Sequence, residues 1–387
     1  MKTKQLILLL VGLLILMVGA VALIPGTSNS LDNPSVKISF ADYTDTTLGN
    51  AVFNIAEPIS YKNLQIFPIR GTFNITERTY IALEEAMEKK YVDVVETEQV
   101  NELKLNNTSD QYIFLHSGDI VKGGKQDRTI QYDVIIPPKE KNIPIASFCV
   151  ERGRWNQRVD AHGNAERTEG FSASKYNVSS RKMKVAAKKE SDQGKMWMEV
   201  SKQQEKIVSN VKGNYDTTFF LSNNSPSSML LTLEDSTITE LRKRYKENLS
   251  SLLNMPDIVG LAYAVNGEVY GIDLFNSGVF LSLREKMIDG FIVEAVADQD
   301  SSNFEPASVG DVLNLLKKPN GKPTEVNVHK VNAITYFEME TFDRDNRFLT
   351  SDLDLEKWVH LNVIHDDEEE SSQSGQRNNV IEIYNGR

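Results

Sequence analysis

Behind Lys2 and Lys4 the chain opens on an apolar run, Leu6 to Ile24, that no polar side chain interrupts before "PGTSNS". Nineteen helical residues rise about 28 Å, close to the roughly 30 Å hydrocarbon core of a bilayer. Residues 1–26 therefore read as a signal anchor or a signal peptide. Ala20-Val21-Ala22 has the small-x-small form of a cleavage site, while the run exceeds the usual secretory core. In either case the positive N-terminal side places the remainder outside the cytoplasm. The expected location is membrane-anchored through residues 6–24, or secreted if the segment is cleaved.

Residues 27–55 are polar and turn-rich, as expected of a spacer. Periodicity then predicts a body over residues 56–365, with "LQIFPIR" from Leu64 as its first clear strand. Tyr80, Leu83 and Met87 predict a helix, with Thr76 as its cap. "YVDVVET", "QYIFLHSG", "RTIQYDVIIPP" and "IPIASFCVE" predict four strands. Beyond Arg152 the character changes: "NVSSRKMKVAAKKESDQGK" reads as surface loop and exposed helix, and "KMWMEVSKQQEKIVSNV" as a helix. A further helix begins at Ser236, with Ile238, Leu241, Tyr245, Leu249 and Leu252 on one side, and ends near Pro256. Two alternating runs around Asn266-Gly267 predict a type I′ hairpin, and Phe280 to Ala297 a helix. Closing strands lie in "KPTEVNVHKVNAITYFEMETF" and "KWVHLNVIHDD", and residues 366–387 form an acidic, polar tail. Strands followed by a mixed second half lack regular βα alternation. The fold class is α+β, a mainly antiparallel sheet with several packed helices. One domain or two remain open, with a boundary near 215–235 if there are two.

The 387 residues carry a net charge of −11, which argues against general nucleic-acid binding. The balance is uneven: Arg152 to Lys206 holds 13 Lys or Arg against 7 Asp or Glu, most simply read as a solvated basic face. Cys149 is the sole cysteine, so disulfides and cysteine-rich metal sites are excluded. Its place in an apolar strand points to a buried thiol. None of the five histidines forms an HExxH pair, and spacing assigns neither a metal ligand nor a cofactor.

Two motifs carry candidate chemistry. In "GDIVKGGKQDR", Gly123 and Gly124 allow close backbone approach, and Lys125, Gln126 and Arg128 are suited to an anion. A tight hairpin corner is the alternative. In "CVERGRW", Arg152 and Arg154 offer bidentate forks and Trp155 a stacking face. Glu151 and Asp127 are the acid or base candidates if the protein is an enzyme, and an Arg-Glu corner is again the plain alternative.

Taken in order, these two motifs resemble the ARPP-1 domain family, named for its association with ADP-ribosylglycohydrolases, rhodaneses and phosphatases. "DQGKMW", "GLAYAVNGEVYGIDLF" and "VHL" at Val359 to Leu361 add to the likeness. Asp119 stands where the family pattern has Glu, and Asp127 where it has Asn, which exchanges an amide donor for an acceptor-only group. The resemblance implies a link to ADP-ribose or NAD-related chemistry by association, with no established activity. The expected function is an exported or membrane-tethered domain that binds an anionic small molecule, a nucleotide-sugar, ADP-ribose-like or phosphorylated ligand, and hydrolyses it if enzymatic. The alternative is a non-enzymatic surface or interaction protein in which both motifs are structural.

Overall fold

The Asn266-Gly267 hairpin forms as its sequence dictates, with φ of 51° and 80° at the two turn residues. It joins β14 (Ile258–Val265) to β15 (Glu268–Phe275), the middle of a ten-stranded sheet. The computed structural model describes residues 36–39, 52–97, 99–124, 126–152, 170–177, 180–215, 228–299 and 303–366. The apolar run 6–24, the spacer up to Ser35, and the tail beyond Asp366 lie outside the described residues. Among those described, no helix is long and apolar enough to cross a membrane.

The large sheet runs β1 (Val36–Ser39), β2 (Val52–Ile55), β4 (Leu64–Arg70), β14, β15, β19 (Lys357–His365), β18 (Asp345–Asp352), β17 (Thr335–Phe342) and β16 (Glu325–Lys330), with β3 (Ile59–Tyr61) pairing β4. Every pairing in it is antiparallel. Both β14 and β15 are apolar and buried almost throughout because helices cover both faces. On one face α6 (Phe280–Ala297) packs Phe280, Leu283, Phe291 and Ile292 on Leu64, Ile66 and Tyr263, with Phe291 stacked on Tyr263 at 4.0 Å. Each such side chain contributes about 2 kcal/mol by leaving water. On the other face α7 (Val309–Leu316), started by a Ser308/Asp311 capping box, covers Phe67, Ile272 and Leu274.

A six-stranded antiparallel sheet follows the order β13 (Phe171–Asn177), β9 (Asp119–Gly123), β10 (Arg128–Ile130), β12 (Ile143–Cys149), β7 (Glu102–Asn107) and β6 (Val92–Glu96). A small sheet of β11 (Val134–Ile136), β8 (Tyr112–Leu115) and β5 (Tyr80–Ala82) includes a parallel pair, β5 with β8. The α+β class and the mainly antiparallel pairing are as the sequence predicts.

Several local expectations are corrected. Strands β1 and β2 lie within the stretch read as a spacer, so the sheet begins before Leu64. The helix near Tyr80 is shorter, α1 (Leu83–Glu88); Tyr80 to Ala82 are drawn into pairing with β8, and Thr76 does not cap it. "RTIQYDVIIPP" divides into β10 and β11, because the chain leaves one sheet for another at Gln131–Asp133 while Ser117 binds both the Gln131 carbonyl and Asp133. The basic stretch is not simply a solvated face. Helix α2 (Arg181–Val185) runs into a π-helical turn, Ala186–Glu190, and Arg181, Lys184 and Lys188 are buried. Then come α3 (Gln193–Tyr215), α4 (Met229–Glu234) and α5 (Ser236–Leu249), whose apolar faces pack on Ile120, Phe148 and Val150 of the six-stranded sheet.

Candidate functional site

The two motifs meet at one end of the six-stranded sheet, because β10 pairs with both β9 (Arg128 opposite Val121) and β12 (Arg128 opposite Cys149). Gly123 and Gly124 turn the chain with φ of 132° and 55°. Their lack of a side chain serves packing: a Cβ on Gly123 would lie 2.6 Å from the Gly170 carbonyl oxygen, and one on Gly124 2.3 Å from Glu96 Oε2. Asp127 Oδ1 accepts the Gly123 N–H at 3.1 Å and closes the turn, as an acceptor-only group can. Gln126 Nε2 donates to the Glu151 carbonyl at 2.8 Å, and Val150 N–H to the Asp127 carbonyl at 3.1 Å, tying the motifs together.

Arg128 is fully buried, and its fork is taken. Nη2 pairs with Glu96 Oε1 at 2.8 Å, while Nη1 donates to the Val100 carbonyl at 2.7 Å and lies against Cys149 Sγ. Asp127 and Glu151 are also fully buried. Burial pushes the Cys149 thiol up to about 11, with Arg128 pulling against it and Glu96 and Glu151 adding to it. Lys125, Arg154 and Trp155 lie outside the described residues.

The open side of the corner belongs to Arg152, which is exposed, and to Trp197 in the second turn of α3. Gln193 anchors the start of α3 to the end of β12: its side chain accepts from Cys149 N–H and donates to the Cys149 carbonyl, both at 2.9 Å. That clamp sets the indole beside Arg152, whose guanidinium lies 5.8 Å from the ring centroid. The indole Nε1–H is buried and has no acceptor among the described residues. Trp197 sits in "DQGKMW", a segment the sequence associates with the two motifs without giving it a role.

Sequence spacing misses a second constellation altogether. His116, Asp133 and His360, from the end of β8, the approach to β11 and the middle of β19, are all buried, and their ligating atoms lie within 4.8 Å of one another. His360 sits between two carboxylates, Nδ1 2.7 Å from Asp133 Oδ2 and Nε2 3.0 Å from Asp273 Oδ1. Burial alone would lower the pKa of His360, but these carboxylates raise it above the ordinary value. Burial would raise both carboxyls. His360, with His116 and Lys188, holds Asp133 far below the usual range, and Lys184 with His360 does the same for Asp273. His116 is driven down to about 4 by burial, against the pull of Asp133, and is neutral at pH 7. Lys188 is lowered to about 8 by burial and donates to Asn362 Oδ1 at 2.9 Å. One signal for this centre is visible in the sequence: His116 and His360 interrupt strand-like apolar runs, "YIFLHS" and "WVHLNV".

An open cleft of about 780 Å³ is lined among others by Phe73, Arg78, Tyr80, Asp257 and Ser277, and no described residue of either motif lines it. Residues 53–364 match the family described as the ARG and Rhodanese-Phosphatase-superfamily-associated Protein domain. No curated protein and no solved structure matches the chain.

Proposed function

From the premise that this chain belongs to the ARPP-1 domain family, we propose that it is an extracytoplasmic binding domain for an anionic small molecule, tethered through residues 6–24 or released by cleavage. The site is the open side of the corner. Arg152 supplies the charge and Trp197 the stacking face, with Arg154 and Trp155 as further contributors from the adjoining segment. One observation carries this reading: on the exposed side of the corner a guanidinium lies 5.8 Å from an indole ring centroid, a charged fork beside a stacking face. Gln126 and Arg128 keep the corner in shape. The occupied fork of Arg128 and the turn-closing role of Asp127 favour binding over hydrolysis.

The test is a thermal-shift screen of the full-length chain against nucleotide-sugars, ADP-ribose and phosphorylated metabolites. Ligand at about 100 times its Kd stabilises the folded state by about 2.7 kcal/mol. Arg152→Ala and Trp197→Phe are expected to keep the parent Tm without ligand and to lose the ligand shift. If no metabolite shifts the parent, or the shift survives Arg152→Ala, the site is not here and both motifs are purely structural.

A further inference from the structure

We infer that the buried centre is a binding site for one divalent transition-metal ion, held by His116, Asp133 and His360. The centre stands apart from the corner and does not depend on the ligand proposed there.

The donor set is two imidazoles and a carboxylate, which suits zinc and its first-row neighbours rather than calcium or magnesium. Metal bonds of about 2.1 Å place the ligands of a tetrahedral ion about 3.4 Å apart, and the three donor atoms lie within 4.8 Å of one another. His360 Nδ1 and Asp133 Oδ2, now hydrogen-bonded at 2.7 Å, part to admit the ion, and His116 closes on it. The surroundings have the form of an outer shell that orients metal ligands. Asp273 Oδ1 faces Nε2 of His360 at 3.0 Å and is itself held by Asn362 Nδ2 at 3.0 Å, which leaves His360 Nδ1, on the Asp133 side, as the ligand atom. Asp133 is fixed by Ser117 N–H at 2.7 Å and by Thr350 Oγ1 at 2.9 Å.

One observation points to a missing cation: Asp273 Oδ2 is buried with no hydrogen-bond partner among the described residues. Asn177 Oδ1 has none there either, and its amide nitrogen lies 3.3 Å from His116 Nδ1. Half a turn of the Asn177 amide would put that unpartnered oxygen on His116 Nδ1–H, leaving Nε2 of His116 for the ion. Both histidines would then carry an acceptor on the nitrogen away from the metal. Asn362, which donates to Asp273 Oδ1, is itself held through its Oδ1 by Lys188 Nζ at 2.9 Å. Because His116 and Asp133 belong to the small sheet and His360 to the large one, the ion would join the two.

The experiment uses the full-length, detergent-solubilised chain, stripped with chelator and then dialysed against Zn(II). Atomic emission should count one equivalent of zinc, and X-ray absorption at the zinc edge should show two imidazole ligands, a readout on the wild-type protein that no folding defect can imitate. His116→Gln and His360→Gln should bind none, and Asp273→Asn about 10- to 100-fold more weakly. His365, which pairs with Asp345 at 2.7 Å on the surface, supplies the control, and His365→Gln should retain the ion. Wild-type protein that returns from dialysis without zinc overturns the inference. So does a zinc edge without imidazole, or an ion lost in His365→Gln but kept in both buried variants.

Discussion

Strand β9 has charged groups at both ends, and the two ends draw their partners from different parts of the fold. At its C-terminal end, the corner, the buried charge of Arg128 is answered by Glu96 and a backbone carbonyl, and Asp127 closes its own turn. At its N-terminal end Asp119 meets Lys286 at 2.9 Å and accepts the His116 N–H, at the margin of a centre with two carboxylates, two histidines and two lysines. Both ends leave buried atoms without hydrogen-bond partners among the described residues, Gln126 Oε1 and Arg128 Nε at the corner and Asp273 Oδ2 and Asn177 Oδ1 in the centre. The corner answers the charge of Arg128 within one sheet, while the centre gathers its charged groups from two sheets and a helix. Residue type marks where charge is buried, and only the partners show whether it is available.

The largest expected effect tests whether the corner is closed. Arg128→Ala leaves Glu96 and the Val100 carbonyl without their donor inside the sheet, and removal of one partner from a buried pair costs about 3 kcal/mol or more. Urea denaturation should show this as a lower midpoint at unchanged slope. A loss under about 0.5 kcal/mol, the usual size for a surface change, would mean that Arg128 is not structural and would return it to the ligand site. Next in size is Gly124→Ala. At φ of 55° the new Cβ meets Glu96 Oε2 at 2.3 Å and the Phe171 ring at 2.5 Å. Backbone strain and a displaced Glu96 together cost about 2 kcal/mol, read in the same titration. A neutral result would show that the glycines are kept for an approaching ligand rather than for their own neighbours.

Much of this fold is legible from local pattern. The hairpin at Asn266-Gly267 and the helix from Phe280 to Ala297 are each fixed by side-chain spacing and turn chemistry within a few residues, and they appear as predicted. Pairing that depends on distant partners is not legible in that way. Tyr80 to Ala82 form a strand because Tyr112 to Phe114 lie alongside, although their own spacing suits a helix. The candidate chemistry follows the same rule. "GGKQDR" and "ERGRW" converge as adjacent strand ends suggest, yet the buried centre joins positions 116, 133, 273 and 360, which no motif spacing connects. Lys184 and Lys188 read as surface charge because their partners, Asp273 and Asn362, lie far along the chain.

The smallest effect concerns Cys149, which touches Arg128 and so reports on the corner from inside. Arginine beside a thiol ordinarily favours the thiolate, whereas here burial outweighs it and the pKa rises from an ordinary 9.0 to about 11. The native thiol should therefore resist iodoacetamide at pH 9, while urea-unfolded protein alkylates readily. The sign of the linkage follows: with the folded value above the unfolded one, stability attributable to this proton is complete below about pH 9 and declines as pH rises towards 11. Arg128→Ala should speed alkylation by opening the corner, even though it removes the one cation that favours the thiolate. If instead Cys149 in the parent reacts at neutral pH as fast as a free thiol, the corner opens in solution, and the reading of Arg128 as sealed within one sheet fails.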